Sequence, residues 1–218
     1  MVLFKTKNTK QKEQKMEQLW LYITSVIIMT LIPGPDLIFL ITQGLTKGKK
    51  EAVYTALGLS SGCLFHTTLA AFGVSIIFQK SEIAFNVLKI AGVLYLIYVA
   101  YKTWQTAKNF ELQVDTAAKA GFLKGILMNI LNPKVILFYL AFLPQFVPAH
   151  VKNVCLYMLI LGLIFAGIAM ILLPIIAIIS AKLHKIFLSN KKTMIIINKI
   201  GAITIFTLAI FLAFSQNN

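Results

Sequence analysis

Two short segments inside long apolar runs carry the residue types that could do chemistry. They are Pro33-Gly34-Pro35-Asp36 and Asn129-Ile130-Leu131-Asn132-Pro133-Lys134. Proline lacks the amide donor and its ring crowds the preceding turn, so each segment interrupts a helix. A helix broken in apolar surroundings frees backbone groups that can bind a zwitterion; the alternative is a kink that only shapes packing. Asp36 is the only carboxylate well inside an apolar run. A charge at that depth costs at least about 2.5–3.5 kcal/mol. Asp36 therefore reads as a group that carries a proton or attracts an ammonium, or as the cap of the new half-helix. Lys134 could pair with Asp36, meet a carboxylate, or snorkel to the near face. Asn129 and Asn132 share a helix face and could hold a ligand or tie helices together. His66 stands alone in another apolar run, as a further site residue or a packed histidine.

Other chemistries find little support. No phosphate-binding glycine loop, nucleophile–base pair or metal-ligand cluster is present, and Ser60 and Ser61 near His66 lack an acid close in sequence to complete a triad. Cys63 and Cys155 each lie in an apolar run without a CxxC or a Cys/His cluster. They read as small packing residues. No cofactor and no metal is expected.

The elements that must position these residues follow from composition. Of 218 residues, 58% are apolar and only 13% charged, and mean hydropathy is +0.81. Soluble domains carry about twice that charged fraction. The formal charge of +14 comes entirely from lysine. The lysines fall in short runs between apolar segments, as loops of a membrane protein do, so a nucleic-acid partner is not expected. Six apolar runs, at about 19–42, 52–79, 83–101, 123–147, 154–181 and 193–214, predict six transmembrane helices and an all-α membrane protein. Ten-residue alternating segments, the mark of a β-barrel, are not seen. Residues 1–15 are polar and basic and are expected to form a disordered, dispensable tail. The remainder, 16–214, reads as one transmembrane domain.

The two breaks match at an offset of 100 between Pro33 and Pro133. Leu57-Gly58-Leu59 matches Leu161-Gly162-Leu163, and Lys89-Ile90-Ala91-Gly92 resembles Lys199-Ile200-Gly201-Ala202. The order suggests two three-helix units, about 19–104 and 121–214. An odd number of crossings inverts the second unit, the plan of many secondary transporters. Both breaks would then fall near mid-depth: Pro33 lies ~21 Å into its span and Pro133 ~15 Å into its own. The pairs Gly58/Gly62, Gly121/Gly125 and Gly162/Ala166 would let helices approach closely.

The chain also resembles the LysE/RhtB exporters of amino acids. The likeness lies in GFLKGILMNILNPKVILFYLAFLPQFV at 121–147, the Pro33–Asp36 turn, the Lys47-Gly48-Lys49-Lys50 loop, the Gly58/Gly62/His66 span and LKIAGVLYLIYVAYKTW at 88–104. It covers about residues 16–214. The basic tail before Met16 departs from the family pattern. The resemblance implies a multi-pass permease of the bacterial cytoplasmic membrane. Such a permease exports amino acids or related metabolites, driven by the proton-motive force, with the lipid bilayer and a coupling proton as its other partners. It leaves open which amino acid is exported and whether a homo-oligomer forms. On the residues alone, a membrane-embedded enzyme using Asp36 and His66, or a passive channel, stays in play.

Loops one, three and five carry Lys47, Lys49 and Lys50; Lys102, Lys108, Lys119 and Lys124; and Lys182, Lys185, Lys191 and Lys192. Loops two and four carry only Lys80 and Lys152. The charge rule places the odd loops in the cytoplasm and both termini outside. A cysteine placed at Gln216 is thus expected to react with an impermeant thiol reagent added outside; labelling only from the cytoplasmic side would overturn this orientation.

Overall fold

The computed structural model describes residues 2–75, 82–106, 121–148, 151–182 and 191–214. Among them every regular element is helical. The helices are α1 (Val2–Leu31), α2 (Pro35–Lys47), α3 (Lys49–Leu69, continued by a π turn Ala70–Val74), α4 (Glu82–Thr106), α5 (Gly121–Ile130), α6 (Pro133–Leu137), α7 (Val154–Lys182) and α8 (Lys191–Phe214). A π turn, Phe138–Phe142, and a 3₁₀ turn, Leu143–Phe146, continue α6.

Each break falls where the prolines put it. α1 ends at Leu31 and α2 starts at Pro35; Met16–Leu31 and Pro35–Lys47 meet at a bend of 55°. Gly121–Ile130 and Lys134–Phe146 meet at 51°. Among the described residues α7 alone is, by length and composition, long and apolar enough to cross a membrane, and each bent pair qualifies when taken as one span. α8 supplies a shorter apolar helix, Lys199–Phe214. Up to three spans thus meet the criterion among the described residues, against the six that the apolar runs predict. α3 falls short because part of its length goes to Ser60, Ser61, His66, Thr67 and Thr68. Part of the second predicted run, 76–79, lies outside the described residues. The tail also differs from expectation. α1 begins at Val2, so residues 2–15 extend a helix. The Lys, Gln and Glu residues that make this segment polar are also good helix formers.

The outer surface is apolar. Leu94, Leu123, Leu131 and Ile171 are each more than 60% exposed, a pattern that water does not tolerate over so wide an area and that lipid does. Many polar side chains turn inward. The hydroxyls of Thr30, Thr42, Ser60, Thr67 and Ser180 each donate to the carbonyl one turn back, so their burial leaves no donor unpaired.

Packing between the predicted units is reciprocal. α3 lies along α5, and α7 lies along α1 and α2. The second helix of each unit thus packs on the broken helix of the other. α3 also packs on α7, and α4 on α8. The third helices reach across in the same way: a Cβ on Gly92 of α4 would stand 2.8 Å from Ala141 Cβ, and one on Gly201 of α8 would stand 2.7 Å from Pro33 Cδ.

Glycines set these distances. A Cβ on Gly58 would lie 2.0 Å from the Phe122 carbonyl oxygen, one on Gly125 2.5 Å from the Thr55 carbonyl oxygen, and one on Gly162 2.5 Å from Thr67 Cγ2. The first two obstacles are backbone, which cannot rotate away. Gly167, in mid-α7, meets nothing within 4 Å. Gly58→Val is therefore expected to lower stability by more than the roughly 1–3 kcal/mol typical of overpacking, read as earlier thermal unfolding in detergent. Gly167→Ala should unfold no earlier than the unaltered protein. Equal behaviour of the two variants would show that the helices are not in contact at Gly58.

Candidate functional site

Each break presents the same problem: backbone groups freed in the interior need partners. At the second break the answer is local. Asn132 is the N-cap of α6, and its Oδ1 accepts from the Lys134 amide at 3.0 Å. The Asn132 carbonyl accepts from the Val135 and Ile136 amides, at 3.0 Å each. Pro133 cannot donate to the carbonyl of Asn129 four residues back. That carbonyl is taken instead by the Asn132 amide at 3.0 Å and by His66 Nε2 at 3.2 Å. Since a carbonyl only accepts, the His66 proton sits on Nε2.

The first break is solved from a distance. Gly34, the N-cap of α2, has no side chain to cap with, and Asp36 makes no capping bond. Lys134 reaches across from α6, and its Nζ donates to the Ile32 carbonyl at 3.0 Å. The same Nζ lies 3.3 Å from Asp36 Oδ1. Lys134 is 2% exposed and Asp36 7%. One ammonium thus ties the two breaks together twice, through a freed carbonyl and through a carboxylate. Gly34 fits beneath it, since a Cβ there would come within 2.9 Å of Asp36 Oδ1 and 3.2 Å of Lys134 Nζ.

A small cavity adjoins the pair. It measures about 10 Å³ and is lined by Met29, Thr30, Asp36, Cys63, Asn129 and Lys134 on one side and by Phe165, Ala169 and Leu173 of α7 on the other. That is room for about one water. Two acceptors at this cavity, Asp36 Oδ1 and Asn129 Oδ1, have no hydrogen-bond partner. The Asn129 amide nitrogen contacts Cys63 Sγ at 3.6 Å, and a Cβ on Gly62 would press on Asn129 from α3. A ligand bearing several donors and one positive charge would satisfy both acceptors. At about 10 Å³ the cavity does not hold a ligand of amino-acid size.

The structure therefore brings together Pro33, Gly34, Pro35, Asp36, Asn129, Asn132, Pro133 and Lys134, from segments about a hundred residues apart. His66 touches this cluster only through the Asn129 carbonyl and packs on Tyr139, with ring centroids 5.5 Å apart. The Tyr139 hydroxyl continues the network: it lies 3.2 Å from Thr67 Oγ1, whose proton goes to the Cys63 carbonyl, and donates to the Gly162 carbonyl at 3.3 Å. Snorkelling does not describe Lys134, which points into the bundle. Lys199 instead lies over the ring of Trp104, 5.1 Å from its centroid. Sequence reasoning missed Met29, Thr30 and the α7 lining. Met29 and Thr30 carry a signal in retrospect, since they lie on the last turn before the break. Phe165, Ala169 and Leu173 sit at helical spacing on an otherwise uniformly apolar helix and carry none. Cys63 and Cys155 are both free thiols, Cys63 fully buried beside Asn129.

Comparison with known proteins gives this geometry a context. The chain is 35% identical over 144 residues to an uncharacterized membrane protein, YrhP, of Bacillus subtilis, covering 61% of this chain and 69% of that one. It is 32% identical over 144 residues to a homoserine/homoserine lactone efflux protein of Salmonella typhimurium, covering 65% and 69%. It is 31% identical over 155 residues to the protein of the same name from Salmonella typhi, covering 70% and 75%. No solved structure matches. The family model for LysE type translocators matches residues 27–216, which include both breaks, the ion pair between them and every helix from α2 to α8. An apolar-surfaced helical protein with a charged, cross-tied centre matched over that length belongs to the LysE type translocator family, and it is a multi-pass membrane protein.

Proposed function

We propose that this protein is a proton-coupled exporter of small amino acids or their close derivatives, with homoserine as the first substrate to test, in a bacterial cytoplasmic membrane. The observation that carries the reading is the Lys134–Asp36 pair buried between two helix breaks. A buried ion pair contributes little net stability compared with apolar packing, whereas ionisable groups inside a membrane domain mark transport pathways. The names of the two Salmonella relatives supply the substrate class.

The chemistry runs by exchange of partners. A zwitterion carries the same two charges as the pair. Its ammonium replaces Lys134 on Asp36 and donates also to Asn129 Oδ1, a buried acceptor with no hydrogen-bond partner. Its carboxylate takes over Lys134 and the first-turn amides of α2, which no side chain caps. The corresponding amides of α6 are already satisfied by Asn132, so the site is asymmetric. Once each charge has a partner on the substrate, the tie between the breaks is released and the two units can rock apart. The reciprocal packing of α3 and α7 supports reading these units as inverted repeats. On the outer side a proton on Asp36 removes its charge and frees the ammonium. Return to the cytoplasmic side and loss of that proton restore the pair. Driven this way, each substrate leaving is balanced by a proton entering.

Asp36→Asn keeps the size of the side chain and mimics the protonated acid. In proteoliposomes under an imposed pH gradient, the unaltered protein should accumulate homoserine. The Asp36→Asn protein, inserted at normal levels, should lose accumulation entirely, and Asp36→Glu should retain part of it. Uphill transport by Asp36→Asn with unchanged pH dependence would reduce Asp36 to a structural role.

A further inference from the structure

A second, larger cavity lies beside the same breaks. It measures about 340 Å³ and is lined by Gly34, Pro35, Asn132 and Lys134, by Ile205 of α8, and by one face of α4. That size lies within the range of small-molecule sites, about 300–1,000 Å³, and contrasts with the one-water cavity at the ion pair. The α4 face consists of Tyr95, Tyr98, Val99, Lys102 and Thr103, the spacing of a single helical stripe. The Tyr95 and Tyr98 rings lie 5.8 Å apart, and Lys102 Nζ lies 5.6 Å from the Tyr98 ring centroid.

We propose that this cavity is a loading vestibule, a second substrate-binding site distinct from the closed centre, for a compact α-amino acid; it rests on the export reading above. Two independent features point to a ligand with a carboxylate and an ammonium. At the inner end, Asn132 is 2% exposed and its Nδ2 is a buried donor with no partner. It is a donor only, so it calls for an acceptor such as a carboxylate oxygen. At the outer end, about 10 Å along α4 from Tyr95, Lys102 supplies a positive charge that draws an anionic group into the mouth. The two tyrosine rings between them offer faces that attract an ammonium. The lysine-rich loop that follows α4 places this mouth on the cytoplasmic side by the charge rule. Lys134 lines both cavities, so a carboxylate held in the vestibule lies next to the residue that receives it at the centre.

The test uses full-length protein in everted membrane vesicles, with cysteine placed at Val99 in the vestibule or at Leu94, which is 64% exposed and does not line the cavity. An impermeant thiol reagent should label Val99→Cys and spare Leu94→Cys. Homoserine should slow the labelling of Val99→Cys, homoserine lactone should slow it less because it lacks the carboxylate, and protection should persist with Asp36→Asn. In transport, Lys102→Met should raise KM about tenfold, the loss expected when an attractive charge at a cleft mouth is removed, while kcat changes less than twofold. Protection without uphill transport would retain the vestibule and reject the coupled-export reading. Uphill transport of homoserine without protection of Val99→Cys would overturn the vestibule alone, as would a Val99→Cys no more reactive than Leu94→Cys.

Discussion

An ammonium and a carboxylate withdrawn from water each lose several kcal/mol of solvation, which their mutual attraction restores only with close geometry and further hydrogen bonds. The Lys134–Asp36 pair imposes that constraint here. Nζ must reach Asp36 Oδ1 and the Ile32 carbonyl at once, and this is met only if both helix breaks stand side by side. The remainder of the bundle serves that placement. Gly34 lets the lysine pass, Gly58, Gly62 and Gly125 let α3 and α5 close to backbone contact, and Gly201 lets α8 lie against Pro33.

The two breaks are alike in sequence and unlike in their solutions. Asn132 satisfies its own half-helix, whereas Gly34 leaves its half-helix to the charges opposite. This asymmetry gives the site a direction. The α6 side has its freed backbone groups satisfied locally, with His66 and Tyr139 packed behind it. The α2 side depends on Lys134, which supplies its contacts across the break. The same asymmetry separates the two cavities: the acceptors of Asp36 and Asn129 adjoin the small one, and the donor of Asn132 adjoins the large one.

Much of this was legible in the sequence because proline and buried charge act locally. Pro33, Pro35 and Pro133 fix the breaks whatever surrounds them, and a lone acid in an apolar run demands a partner. The glycine pairs showed which faces come close. Other features depend on where the chain returns. Proline chemistry identifies the Asn129 carbonyl as orphaned, but nothing in sequence shows that His66, 63 positions away, would fill it. The stripe from Tyr95 to Thr103 read as the end of a span, since its separation from the breaks closes only in space. The six-span expectation ran ahead of the described helices, where polar residues of α3 serve its partners and dilute its hydropathy. The tail was read from polarity alone, and its helix propensity was left out of account.

The central claim is that Lys134 and Asp36 hold the breaks together by pairing with each other. A double-mutant cycle on unfolding in detergent tests it most directly, using Lys134→Met, Asp36→Asn and the combination. Lys134→Met strands a buried carboxylate and should cost about 3–5 kcal/mol. Removing both charges should cost clearly less than the sum of the single losses, and because Asp36→Asn relieves the stranded carboxylate, the double variant should be at least as stable as Lys134→Met alone. Strictly additive losses would show that the two residues act independently and would contradict the account.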